Sequence, residues 1–167
     1  MLFIHNNTHH KNNLIAKHTD VTYDITMLRA VIDTDVMVAA LESSAGASRQ
    51  ILLHAFRGDM HLLLSTALML EYEAVLTRLE TLERSGLSTS AVLAVLDEVA
   101  RLCTPVAFDY RWRPVAADQD DDFVIETAIN GEADVIVSFN ARDMEKGAAR
   151  FGISVERPAL VLRRLAR

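Results

Sequence analysis

The stretch DQDDDF, Asp118 to Phe123, sets four carboxylates within five consecutive residues. Carboxylates that close resist ionising beside one another. Other acids stand where the chain could bring them to the same place. Asp33 and Asp35 follow the apolar run LRAVI (28–32), and Asn140 and Asp143 follow DVIVS (134–138). Glu71 lies in LSTALMLEYEAVLTRL, where Leu68, Tyr72, Val75, Leu76 and Leu79 recur at helical spacing. At about 100° per residue Glu71 falls at the edge of that stripe, while Glu73 points further out. Within the acidic stretch, Asp121 lines up with Ile125 and Ala128 on the buried side, Asp122 leans outward with Glu126, and Asp120 is placed to cap. A carboxylate on a buried face needs a partner, yet the chain has no lysine between Lys17 and Lys146. A divalent cation would resolve the conflict, since hard ions such as Mg²⁺ or Mn²⁺ take oxygen ligands. The lack of a Cys or His cluster argues against zinc.

Each acid also has a plainer use. Asp120 and Asp122 suit the positive end of a helix, and Asn140 with Asp143 three residues on has capping-box spacing. Glu71 could be a half-exposed helix acid. Asp33 is harder to explain away, because a charge that ends a buried strand seldom stabilises it.

The elements that would position these groups alternate. Strands are predicted at 28–32, 61–64, 104–108, 134–138 and 153–156. Helices are predicted at 36–41 and 47–57, from Ser65 to about Leu82, from Ser88 or Thr89 to about Leu102, from Asp120 to about Asn130 with Gly131 as its stop, after Asn140, and from Pro158. Strands apolar on both faces and separated by helices imply a three-layer α/β/α fold with a central, mainly parallel sheet. Ligands of such sheets sit beyond the carboxyl ends of the strands, where Asp33, Asp35, Asn140 and Asp143 fall.

With 167 residues, one domain spanning 27–167 is expected. Residues 1–26, rich in Asn, His and Thr, are expected to form a poorly ordered extension. His9 and His10 there are better read as part of a polar tail than as metal ligands. Net charge is −6, without the global basic signature of a nucleic-acid binder, but residues 142–167 carry +4 against −10 for the remainder. Arg142, Lys146 and Arg150 recur every four residues, and RWR (111–113) offers Trp112 between two cations, either for a base or for packing at the domain edge. A single cysteine, Cys103, and no apolar run long enough for a bilayer lead to a cytoplasmic expectation.

With its acids in this order, the chain resembles the PIN-domain family of metal-dependent ribonucleases, and most closely the branch of VapC-type toxins of toxin–antitoxin pairs. The matching stretches are VIDTDVMVAAL, GASRQILLHAFRGD, LLLSTALMLEYEAVL and DQDDDFVIETAINGEADVIVSFNARDM. The resemblance implies an endoribonuclease that uses Mg²⁺ or Mn²⁺ to hydrolyse RNA phosphodiesters, leaving a 5′-phosphate and a 3′-hydroxyl. It maps the catalytic and metal-binding acids onto Asp33, Glu71 and Asp121, the last chosen from the cluster Asp120–Asp122. The fourth position falls on Asn140 or Asp143. Asp35 stands where relatives usually carry Asn, and Asn140 where many carry Asp. Arg142 and Lys146 become candidate RNA contacts, and a small antitoxin and a homodimer become expected partners. The helix Ser88–Leu102, with Val92, Leu96, Val99 and Leu102 in one stripe, would serve either as a contact surface or as core.

Two readings compete. A PIN-like module that binds without cleaving is the non-enzymatic one. VIDTDV also imitates the nucleophile motif of haloacid-dehalogenase-type phosphatases, but that chemistry needs a lysine before the late acids, which the chain lacks, and Met37 stands where Thr or Val is expected. A response-regulator receiver domain fails similarly, because its paired acids should follow the first strand rather than open a late helix.

Overall fold

The computed structural model describes residues 27–108 and 122–166. Five strands, β1 (Arg29–Ile32), β2 (His61–Ser65), β3 (Thr104–Val106), β4 (Val135–Val137) and β5 (Ser154–Glu156), form one sheet in the order β3-β2-β1-β4-β5. All four pairings are parallel. Eight helices among the described residues flank it: α1 (Thr34–Glu42), α2 (Ala47–Arg57), α3 (Thr66–Leu76), α4 (Leu79–Ser85), α5 (Thr89–Leu102), α6 (Asp122–Asn130), α7 (Ala141–Ala149) and α8 (Pro158–Leu165). The three-layer α/β/α expectation is met. Ala30, Val31, Ile32, Val135, Ile136 and Val137 are wholly buried, as continuous apolar runs in a sheet covered on both faces should be. No helix among the described residues is long and apolar enough to cross a membrane. The expectations for residues 1–26 and for Trp112 lie outside the described residues.

The strand order puts a switch point at the centre. From β1 the chain builds outward through β2 and β3, then crosses to β4 and β5 on the other side of β1. The crevice beyond the carboxyl ends of β1 and β4 is where such sheets collect ligands.

Two contacts orient the helices around that crevice. The Tyr72 hydroxyl, fully buried in α3, donates to the carbonyl of Ile32, the last residue of β1. At the opposite edge of the sheet, the Arg29 guanidinium donates to the carbonyls of Gly131 (2.7 Å) and Glu132 (3.1 Å) just past the end of α6. Cations suit that end of a helix. With its C-terminus held at the amino edge of β1, α6 points its first residue, Asp122, back to the carboxyl edge. Tyr72→Phe is expected to cost roughly 1–3 kcal/mol, the usual penalty for a buried hydrogen bond left unmade, with no effect on secondary structure. Urea melts of the two proteins measure it.

Three details differ from the pattern read in the sequence. The helix predicted from Ser65 to about Leu82 is two helices: the Thr77 hydroxyl bonds back to the Glu73 carbonyl (2.7 Å), and Arg78 turns extended (φ −62°, ψ 141°). The turn carries Leu79 off the buried stripe, leaving it 73% exposed. Gly131 does end α6, yet the left-handed residue there is Glu132 (φ 50°). Gly131 is needed for close approach instead, because a Cβ would lie 2.9 Å from both the Thr127 carbonyl oxygen and Val106 Cγ2. Finally, Val92, Leu96 and Val99 of α5 are core residues, which decides between the two uses open to that stripe.

Candidate active site

Asp33 follows β1 directly and caps α1: its Oδ1 accepts from the Thr34 amide at 2.8 Å. It is only 7% exposed, and its other oxygen accepts from the Ser138 hydroxyl at 2.6 Å. Ser138 is wholly buried at the end of β4, and its Oγ in turn accepts from the Asn140 amide at 2.9 Å. The two strand ends are also joined through the backbone, Asp33 N–H to the Val137 carbonyl at 2.9 Å. Asp35, half-buried one position into α1, accepts from the Phe139 amide at 3.3 Å. The carboxyls of Asp33 and Asp35 are close enough to hydrogen-bond each other.

This pairing decides the electrostatics. Burial, and then the charge of Asp35, push the Asp33 carboxyl from its ordinary 3.8 up to about 7, against the opposing hydrogen bonds from Ser138 and Thr34. Burial and then the charge of Asp33 hold the nearby Tyr72 phenol well above its ordinary value. A buried acid whose proton affinity is raised this far marks a place where a charge is hard to hold. Perturbed carboxylates of this kind cluster at functional sites.

The predicted site residues fall as follows. Asp33 and Asp35 are brought together, with Asn140 tied to them through Ser138. Glu71 is half-buried and immediately precedes Tyr72, whose hydroxyl grips the end of β1. Asp122 is a correction. It was expected to lean outward with Glu126, but it is 2% exposed and Glu126 is 0% exposed. The wheel argument assumed one solvent face, whereas α6 packs against β1, β2, β4, α3 and α7 and has almost none. Asp120 and Asp121 lie outside the described residues. Asp143 is exposed on α7, as are Arg142 and Lys146. Asn140 occupies the N-cap position of α7 without a side-chain cap bond, so the capping-box use of Asn140 and Asp143 is not realised.

Ser138 was missed by the sequence reading. Its signal was a lone hydroxyl ending an apolar strand, which spacing alone cannot separate from an ordinary strand terminus. Ser138→Ala would leave the Asn140 amide without its acceptor and Asp33 without one of its donors. A loss of roughly 1–3 kcal/mol in stability is expected, together with a 10- to 100-fold fall in metal affinity, the usual effect of removing a ligand's supporting bond. Thermal melts and metal titration read the two effects separately.

The donor set suits a hard divalent cation. Every candidate ligand is an oxygen, the Asp33 and Asp35 carboxyls lie side by side, and Thr34 Oγ1 is buried without a hydrogen-bond partner among the described residues. Among those residues no three His, Cys, Asp or Glu side chains converge into a complete metal site. Asp120 and Asp121, which could add donors, are outside them.

The fold is an open parallel α/β sheet with the Asp33–Asp35 pair beyond the carboxyl end of its central strand. The PIN-domain family matches the chain over residues 29–142, more than half its length and spanning every acid discussed except Asp143, and the chain belongs to that family. PIN domains are generally nucleases and typically use divalent metals. The phosphatase reading falls with this assignment. A comparison with curated proteins gave no match.

Proposed function

We propose that this chain is a Mg²⁺- or Mn²⁺-dependent endoribonuclease, and that it acts as the toxin of a toxin–antitoxin pair. The observation that carries the nuclease reading is the pairing of buried Asp33 with half-buried Asp35 at the carboxyl end of β1, braced from the end of β4 by Ser138. Asp33, Asp35 and Glu71 would hold the cation with an acid from the start of α6. The burial of Asp122 favours it for that place ahead of Asp121. Asn140, through Ser138, is more closely tied to Asp33 than Asp143 is, which favours it for the fourth position.

When bound, the cation supplies an acidified water and neutralises charge growing on the phosphate. The chain's own residues do the rest. Asp33 is held in one orientation by Ser138 and Thr34, so its oxygens need no reorganisation during the reaction. Arg142 and Lys146, exposed on α7, draw the phosphodiester backbone towards an otherwise acidic crevice. Water oxygen adds to phosphorus as the bond to the 3′ oxygen breaks. The electron pair leaves on that oxygen, which takes up a proton to give a 3′-hydroxyl and a 5′-phosphate.

The test is cleavage of single-stranded RNA by the purified chain with Mg²⁺, Mn²⁺ or EDTA, beside Glu71→Gln, Asp121→Asn and Asp122→Asn. Metal-dependent cleavage lost in Glu71→Gln and in one of the two aspartate variants supports the reading. A folded chain that binds RNA but cleaves none under any metal would make it a binding module. Growth arrest on expression, relieved by a co-expressed small neighbouring gene product, tests the toxin role. Light scattering tests the expected homodimer.

A further inference from the structure

Phe139 stands between two residues of the acidic site and belongs to neither the core nor a helix. Its backbone N–H bonds Asp35, and Ser138 before it bonds Asp33. Ser138 and Val137 are fully buried, yet the Phe139 side chain is 44% exposed. The other large exposed hydrophobics among the described residues, Leu70, Leu79, Leu93 and Leu160, are aliphatic. The exposed part of the Phe139 ring does nothing for the core. Phe139 does offer a partly exposed apolar ring, on a residue whose backbone is bonded to Asp35. Two residues further on α7 begins, with Arg142 and Lys146 exposed one turn apart.

We propose that Phe139 is a base-stacking platform, which holds the nucleobase next to the scissile phosphate of a single-stranded substrate while Arg142 and Lys146 hold the backbone beyond it. Stacking on an aromatic ring tolerates any base, since each has a π-face, and demands that the base be unpaired. The site therefore takes single strands or loops in preference to duplex. The neighbouring cations favour a polyanion over an apolar protein partner on this ring. The inference rests on the ribonuclease reading above and adds the feature of the substrate that the site grips.

The test is equilibrium binding of the full chain, with Ca²⁺ in place of Mg²⁺ to prevent cleavage. The probes are a short single-stranded RNA and the same sugar–phosphate backbone lacking bases. Wild type should prefer the base-bearing strand, and Phe139→Ala should shrink that preference roughly 10-fold, within the range that stacking covers, while binding of the abasic backbone is unchanged. Phe139→Trp should retain it. Arg142→Ala with Lys146→Ala should weaken both probes alike. Because the bond to Asp35 comes from the backbone and the side chain is exposed, Phe139→Ala is expected to melt as wild type does. An unchanged preference in Phe139→Ala, or an equal loss on both probes, overturns the stacking role and leaves the ribonuclease reading standing. Wild type that binds neither probe overturns both.

Discussion

Asp33→Asn is expected to abolish cleavage while leaving the fold intact, and to raise the melting temperature at neutral pH or leave it unchanged. The fall in rate should be at least about 100-fold, the scale on which preorganised electrostatic groups contribute. Stability should not follow, for two reasons. Asn keeps the shape of the side chain, and its amide oxygen can still accept from Thr34, while the Ser138 hydroxyl can turn to accept from the new NH₂. The substitution also removes a buried acid whose charge is opposed by burial and by Asp35. Loss of an ordinary buried structural carboxylate would lower stability and activity together. Activity retained by Asp33→Asn, or loss of the fold, would remove Asp33 from the catalytic role.

A second large effect concerns pH. The Asp33 carboxyl titrates at about 7 in the folded chain against an ordinary 3.8, which serves as its unfolded value. Between those values the folded state holds a proton that the unfolded state has released. Stability from this group is therefore fully present below the lower value and is lost as pH rises through the higher one. The slope is about 1.4 kcal/mol for each pH unit over that interval. Thermal melts in EDTA should show stability falling from about pH 4 to pH 7 on account of this group, and Mg²⁺ or Mn²⁺ should reverse the fall, because a cation replaces the proton. Cleavage should run the other way and rise with pH up to about 7. Asp35→Asn removes one of the two causes of the shift and should move both profiles towards acid. Metal that stabilises equally across the whole range would contradict the assignment of the cation to this pair.

How much of this was legible beforehand varies by element. The strands at 28–32, 61–64 and 134–138 were plain because the middle of a doubly covered parallel strand is a continuous apolar run, a signal that needs no partner to be seen. Asp33 was plain for the same reason, as the charge that interrupts such a run. The break at Thr77–Arg78 was not legible. The apolar stripe continues through it to Leu79, and only a side-chain bond from Thr77 to its own helix ends the pattern. Asp122 was misread because helical spacing describes a helix with one dry side, and nothing local announces that α6 is surrounded.

The sequence by itself determined the parallel α/β class, the order of the acidic positions and their placement at strand ends. Those properties follow from periodicity and from the steric rules of chain connection, which act over a few residues at a time. Tertiary structure alone decided that Asp33 and Asp35 share one buried spot, that Ser138 reaches across from β4 to brace it, and that Phe139 is left in water beside it. Burial is the main cause of the raised proton affinity of Asp33, and the bond from Ser138, 105 positions away, opposes it. Neither exists until the strands have paired.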